Sequence, residues 1–181
     1  FFSATSITLE ADVLAAMRAI TPACEQVLAL PTCRAEALDA APEIARLPQA
    51  AQGVCMGYDF HLSPQGPRLI EINTNAGGAL LNASLLEGRG AATAAATLRA
   101  DIYAMFAAEW RRARGEAALT SIAIVDEQPE TQFLAPEFEL FRELFMAHGI
   151  TAVIADPGEL AWREGRLWCG ATAIDLVYHR L

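Results

Sequence analysis

Between Cys55 and Asn73 the chain alternates apolar and polar residues twice, once on each side of the stretch Ser63-Pro64-Gln65-Gly66-Pro67. A period of two, interrupted once by turn-forming residues, predicts an antiparallel hairpin. Pairing symmetric about Gln65 sets Asp59 opposite Glu71 and Gly57 opposite Asn73. These four and His61 then share one face, while Met56, Tyr58, Phe60, Ile70 and Ile72 pack on the other. Carboxylates directly across a hairpin repel, so the pair calls for a compensating cation. Oxygen ligands from Glu71, Asn73 and Asp59 suit Mg²⁺, which is usually held by one or two carboxylates together with substrate phosphates. A solvated polar face explains the same alternation without a metal.

Elsewhere the period is mostly helical. Leu9, Val13, Met17, Ile20, Cys24, Val27 and Leu28 recur near helical spacing, with Pro22 predicting a kink or a break between two shorter helices. A looser helical stretch follows over residues 34–50. The alanine-rich run 79–114, with Leu98, Ile102, Met105, Phe106 and Trp110 as its core stripe, is expected to be helix interrupted near Gly88 and Gly90. After Gly115 the period changes. Ser121–Val125 and Thr151–Ala155 are expected strands around an amphipathic helix over 136–148, followed by a helical turn near Asp156, a hairpin around Glu164-Gly165 and a last strand over Ala173–Tyr178. This β-α-β order implies an α/β fold with a parallel, Rossmann-like sheet and helices on its faces. Ligands of such sheets gather at the carboxyl ends of strands, here Asp126–Gln132, Asp156 and Arg180. Two parts are expected, a helical and hairpin part over 1–115 and an α/β domain over 116–181.

Composition narrows the function. A net charge of -9 and a pI near 4.8 argue against nucleic-acid binding, which needs a basic stripe. The dense basic cluster Arg111, Arg112 and Arg114 suits the last turn of a helix. All 13 basic residues are arginine, which excludes a Walker A lysine and Schiff-base chemistry. Cys24, Cys33, Cys55 and Cys169 show no metal-type spacing and are expected to be reduced, mostly buried thiols of a cytoplasmic protein. No apolar run approaches the ~18 residues of a membrane span. The chain opens on Phe1 and closes on strand-like residues, which suggests part of a longer polypeptide.

The blocks Tyr58-Asp59-Phe60-His61, Leu69-Ile70-Glu71-Ile72-Asn73-Thr74, Ile122-Ala123-Ile124-Val125 and Val177-Tyr178-His179-Arg180 resemble, in order and approximate spacing, the eukaryotic-type glutathione synthetases and their bacterial relatives. These are circularly permuted ATP-grasp ligases. The resemblance implies an ATP-grasp-like hairpin with helices, joined to a substrate-binding α/β domain. It implies Mg²⁺ and ATP as cofactors, with Glu71 and Asn73 as metal ligands. It also implies that Thr74, Asn75, Ala76, Gly77 and Gly78 hold substrate backbone and that Arg180 contacts substrate. The activity implied is carboxylate phosphorylation followed by amine attack on the acyl phosphate. Two positions depart from the family's pattern. Gly57 stands where the family has an arginine, and Asn75-Ala76-Gly77-Gly78 replace a serine-rich loop.

The expected partners are small-molecule carboxylate and amine substrates, with a homodimer allowed and neither nucleic acid nor membrane. No nucleophile motif marks a catalytic residue, and the 181 residues are expected to be inactive alone. His61 is expected to be a hydrogen-bond partner and His148 to sit at a helix C-terminus. The competing reading is a non-catalytic small-molecule-binding α/β module.

Overall fold

The computed structural model describes Phe2 and residues 7–180, which fall into two compact units, one running up to Gln49 and resuming at Gly57–Asn73, the other made of Ala50–Met56 and the described residues from Thr74 onward. The smaller unit holds α1 (Ala11–Leu28), α2 (Pro31–Ala40), β1 (Gly57–Ser63) and β2 (Gly66–Asn73). α1 runs unbroken through Pro22. The break falls instead at Leu30, which is extended because it precedes Pro31, the first residue of α2. α1 packs against β2, yet no residue of α1, α2 or the hairpin is fully buried.

The hairpin forms with the expected pairs at its open end and a different register near its turn. Pro64 and Gln65 make the turn, closed by the Ser63 hydroxyl, which accepts from the Gln65 amide and donates to the Gly66 carbonyl. Gly57 lies opposite Asn73 and Asp59 opposite Glu71, but Phe60 faces Leu69. Ile70 is therefore the extra residue of a β-bulge. Leu69 rather than Ile70 joins Phe60 on the covered face, and Ile70 is 66% exposed. Met56 lies outside the strand and is also exposed. The bulge brings Arg68 opposite His61, onto the face that carries Asp59 and Glu71.

The larger unit is a three-layer α/β body. β3 (Ser121–Val125) is the middle strand of a parallel sheet, with β4 (Thr151–Ala155) on one side and β8 (Leu176–His179) on the other. All five β3 residues are buried, as a strand covered on both faces requires. On one face, α3 (Ala79–Gly88), α4 (Ala92–Arg114) and α5 (Ala135–Ala147) bring Leu80, Ile102, Phe106, Phe138, Phe141 and Phe145 onto Ile122, Ile124 and Tyr178. The Phe106 ring meets Phe141, Phe145 and Tyr178 edge to face at centroid distances of 5.9, 5.1 and 4.9 Å.

The other face departs from expectation. Where helices on both faces were expected, a small antiparallel sheet of β5 (Leu160–Arg163), β6 (Arg166–Cys169) and β7 (Thr172–Ile174) covers Ala123 and Val125 through Leu160, Leu167, Cys169 and Ile174. The expected last strand is split at Asp175, its first half pairing with β6 and its second with β3. The units also do not divide at residue 115, because α3 and α4 bury their stripe in the larger unit's core. The four cysteines are free and half-buried rather than mostly buried. No single helix among the described residues is long and apolar enough to cross a membrane.

Asp175 ties the strand ends together. It accepts from the Thr120 amide at 2.9 Å and the Thr120 hydroxyl at 2.6 Å, and pairs with Arg166 at 2.8 Å. Burial alone would raise its pKa, but the Thr120 hydrogen bonds and the Arg166 charge outweigh burial and lower it. A depressed folded pKa gives stability that is present above the unfolded value of about 3.9 and lost as pH falls through the folded one. Chemical denaturation should therefore show wild type losing stability faster than Asp175→Asn on acidification below about pH 4. Phe106→Ala should cost about 3–5 kcal/mol in the same assay, because three aromatic neighbours surround the void.

Candidate functional site

On the hairpin, the pairing of β1 with β2 gathers Asp59, Glu71 and Asn73 on one face. The Asn73 amide nitrogen lies 3.4 Å from Asp59 Oδ2, and no cation forms an ion pair with Asp59 or Glu71 among the described residues. Among those residues no cluster of three or more His, Cys, Asp or Glu side chains is arranged to hold a metal. The hairpin supplies two carboxylates and an amide oxygen. That donor set fits Mg²⁺ completed by phosphate oxygens rather than an ion held by protein alone. Arg68, placed on this face by the bulge, is a cation that regular alternation would have assigned to the apolar side. His61 is exposed and faces Arg68 across the strands.

The loop that follows, Thr74 to Gly78, belongs to the larger unit, and its backbone is held from two sides. Glu137 lies in the first turn of α5 with no exposed surface, and its carboxylate accepts the Gly78 amide at 2.7 Å and the Leu80 amide at 2.9 Å. It thereby caps α3, satisfying amides that every helix N-terminus leaves open. From the other side Arg180 Nη1 donates to the carbonyls of Asn75 at 2.7 Å and Ala76 at 3.1 Å, and to the Tyr178 hydroxyl at 2.9 Å. Asn75 Nδ2 returns a hydrogen bond to the Arg180 carbonyl, and the Ala76 amide donates to the Cys55 carbonyl. Burial pushes the Tyr178 phenol and the Cys55 thiol up from their ordinary values, so both keep their protons at neutral pH.

Gly77 is squeezed between the two clamps. A Cβ there would sit 2.3 Å from Leu134 Cδ1, 2.7 Å from Arg180 Nη2 and 3.4 Å from Glu137 Oε2. A side chain there would require Leu134 Cδ1 and Arg180 Nη2 to shift, so the position favours glycine for want of room and not for its backbone angles.

Arg180 was expected to reach substrate, and the structure constrains how it could. It is 9% exposed. Its side-chain hydrogen bonds among the described residues all leave from Nη1, while Nε is buried without a partner. A buried donor without an acceptor costs roughly 1–3 kcal/mol, and such a group in a native fold calls for an explanation. The unused edge, Nε with Nη2, is one of the forks by which a guanidinium grips two oxygens at once. The position of Arg180 matters too. β3 connects to β4 on one side and the chain then crosses to β8 on the other, so the carboxyl ends of β3 and β8 flank the sheet's topological switch point. The Arg180 amide donates to the Val125 carbonyl at that point.

Of the loop residues expected to hold substrate backbone, Ala76 and Gly78 have their amides engaged within the protein, while Thr74 is exposed. Glu137 escaped the sequence reading because a glutamate one helical turn before Phe141 looks like part of an ordinary solvated face. Its neighbour Pro136 was the available signal, marking a helix start aimed at something. His148 does cap a helix end, its Nδ1 near the Leu144 carbonyl and its ring stacked on Tyr103. His179 points outward, on the side opposite Arg180. The acidic run 126–132 is a tight loop with Gln128 at φ 43°, held by Asp156.

No family model, no curated protein and no solved structure matches this chain.

Gly77→Ala should destabilise the larger unit by about 1–3 kcal/mol, the usual cost of overpacking. Thermal unfolding checks it, and Gly158→Ala, whose Cβ would meet only the Asp156 carboxylate at 3.1 Å, should cost less.

Proposed function

We propose that this chain is part of an ATP-dependent carboxylate-amine ligase, similar to glutathione synthetase, that forms an amide through an acyl phosphate. The observation that carries the proposal is the directly opposed Asp59–Glu71 pair beside Asn73, with no ion-paired cation among the described residues. Two like charges in register on a two-stranded sheet cost stability unless a cation joins them. Glu71, Asn73 and Asp59 would hold Mg²⁺, which neutralises the phosphates of ATP when bound. Arg68, on the same face, adds a positive charge where an ATP-dependent site needs one. In the larger unit, Arg180 would receive a carboxylate through its Nε–Nη2 edge, with the Thr74–Gly78 loop beside it. In such chemistry the protein mainly positions reactants and stabilises charge.

A second reading rests on a different observation. A cleft of about 500 Å³, lined by Pro129, Glu130, Phe138, Glu139, Ile154 and Glu159, lies in the larger unit near the carboxyl ends of β3 and β4. It supports a small-molecule-binding α/β module that needs no hairpin chemistry.

Titration calorimetry separates the two. Mg²⁺ should promote ATP binding by the chain, and Glu71→Ala should weaken that binding by about 1.5–3 kcal/mol, the scale of one lost interaction with a charged group. Equal binding by wild type and Glu71→Ala would sink the ligase reading. Turnover is not expected from these residues alone, so an amine-dependent release of ADP from the pure chain would also contradict it.

A further inference from the structure

The Thr74–Gly78 loop is held by opposite charges on its two sides that do not touch each other. Glu137 takes its amides and Arg180 takes its carbonyls, with Gly77 between them. Capping α3 does not require a buried glutamate. A serine, aspartate or asparagine at the N-cap would serve from within the helix, whereas the cap position here is Gly78 and has no side chain. The carboxylate comes instead from another helix, fully buried, at a large desolvation cost. That arrangement does something a local cap cannot: it fixes the loop against α5, and with the loop the two carbonyls that orient the guanidinium.

We infer that Glu137 is a positioning residue for Arg180, and that together they set the guanidinium's Nε–Nη2 edge to bind a carboxylate at the switch point of the sheet. The inference rests on the reading of Arg180 as a ligand-binding group. The chain of contacts is short. Glu137 holds Gly78 and Leu80, the loop turns through Gly77, and Asn75 and Ala76 receive Nη1. With Nη1 committed to two carbonyls and a phenol, the planar group cannot rotate, so the unpaired Nε is held in one direction. A two-oxygen anion is the ligand that satisfies Nε and Nη2 simultaneously. Glutamine at position 137 would offer a single acceptor oxygen to two amide donors, so one of the Gly78 and Leu80 amides would lose its partner. The loop would loosen and the guanidinium with it.

Acetate is the probe, with chloride at equal ionic strength as the control. In nitrogen–proton correlation spectra of the whole chain, the Arg180 Nε–H resonance, assigned by its loss in Arg180→Lys, should move and saturate with acetate but not with chloride. Glu137→Gln should keep cooperative unfolding yet bind acetate at least about tenfold more weakly, the scale of an ordinary coupling between two sites. Saturation in the variant equal to wild type overturns the positioning role and leaves the Arg180 reading standing. An unresponsive Nε–H in wild type overturns both. Should Glu137→Gln fail to fold, wild type still decides. Coupling is reciprocal, so acetate at Arg180 must slow hydrogen exchange of the Gly78 and Leu80 amides. Exchange unchanged under saturating acetate overturns the inference.

Discussion

The larger unit depends on one fully buried carboxylate. Glu137 has no exposed surface and forms no ion pair among the described residues, yet it joins α5 to the start of α3 through two amides. A buried charge is tolerated only where hydrogen bonds replace its water. The open N-terminus of a helix is one of few backbone features that can do so, because its amides and its dipole both favour an anion. Removing that carboxylate would leave a helix end uncapped and a glycine loop without support. The aromatic cluster of Phe106, Phe141, Phe145 and Tyr178 belongs to the buried apolar core that Leu80 of α3 joins. Glu137 ties the start of α3 to α5 beside that core.

Much of the architecture was legible in local patterns, and the misses have identifiable causes. Ser121–Val125 and Thr151–Ala155 were recognisable as strands because short apolar runs bounded by turn residues have few other solutions. The pairs Asp59–Glu71 and Gly57–Asn73 followed from alternation. The bulge at Ile70 did not, since nothing in Arg68-Leu69-Ile70-Glu71 marks which residue the partner strand will skip. Pro22 sits inside α1 while Pro31 divides α1 from α2. A proline's effect depends on whether the neighbouring turns can absorb it, which the sequence does not state. The stripe on α4 was rightly assigned to a core. Which core it joins is a long-range property, so the division expected at Gly115 did not appear.

The candidate site divides along the same line. Glu71, Asn73 and Asp59 were found because they lie close in sequence and one strand period relates them. Arg180 and the Thr74–Gly78 loop came from resemblance, and the structure joins them through contacts spanning more than a hundred residues. Glu137 lies between them in sequence, separated from both, and only packing reveals it. The antiparallel sheet over Ala123 and Val125 was missed for a similar reason. Its hairpin around Glu164-Gly165 was visible, but the face it would cover was not.

The bulge at Ile70 has a further consequence, for solubility. β1 and β2 form a sheet of only two strands among the described residues, so each presents an unpaired row of backbone groups. Straight, flat edges of that kind recruit strands from other molecules. β2 carries Pro67, which has no amide to offer, and three residues later it kinks at Ile70. A proline and a bulge in one short strand make that edge a poor template for a second chain. The distortion that carries Arg68 across the sheet therefore also guards an exposed hairpin against aggregation.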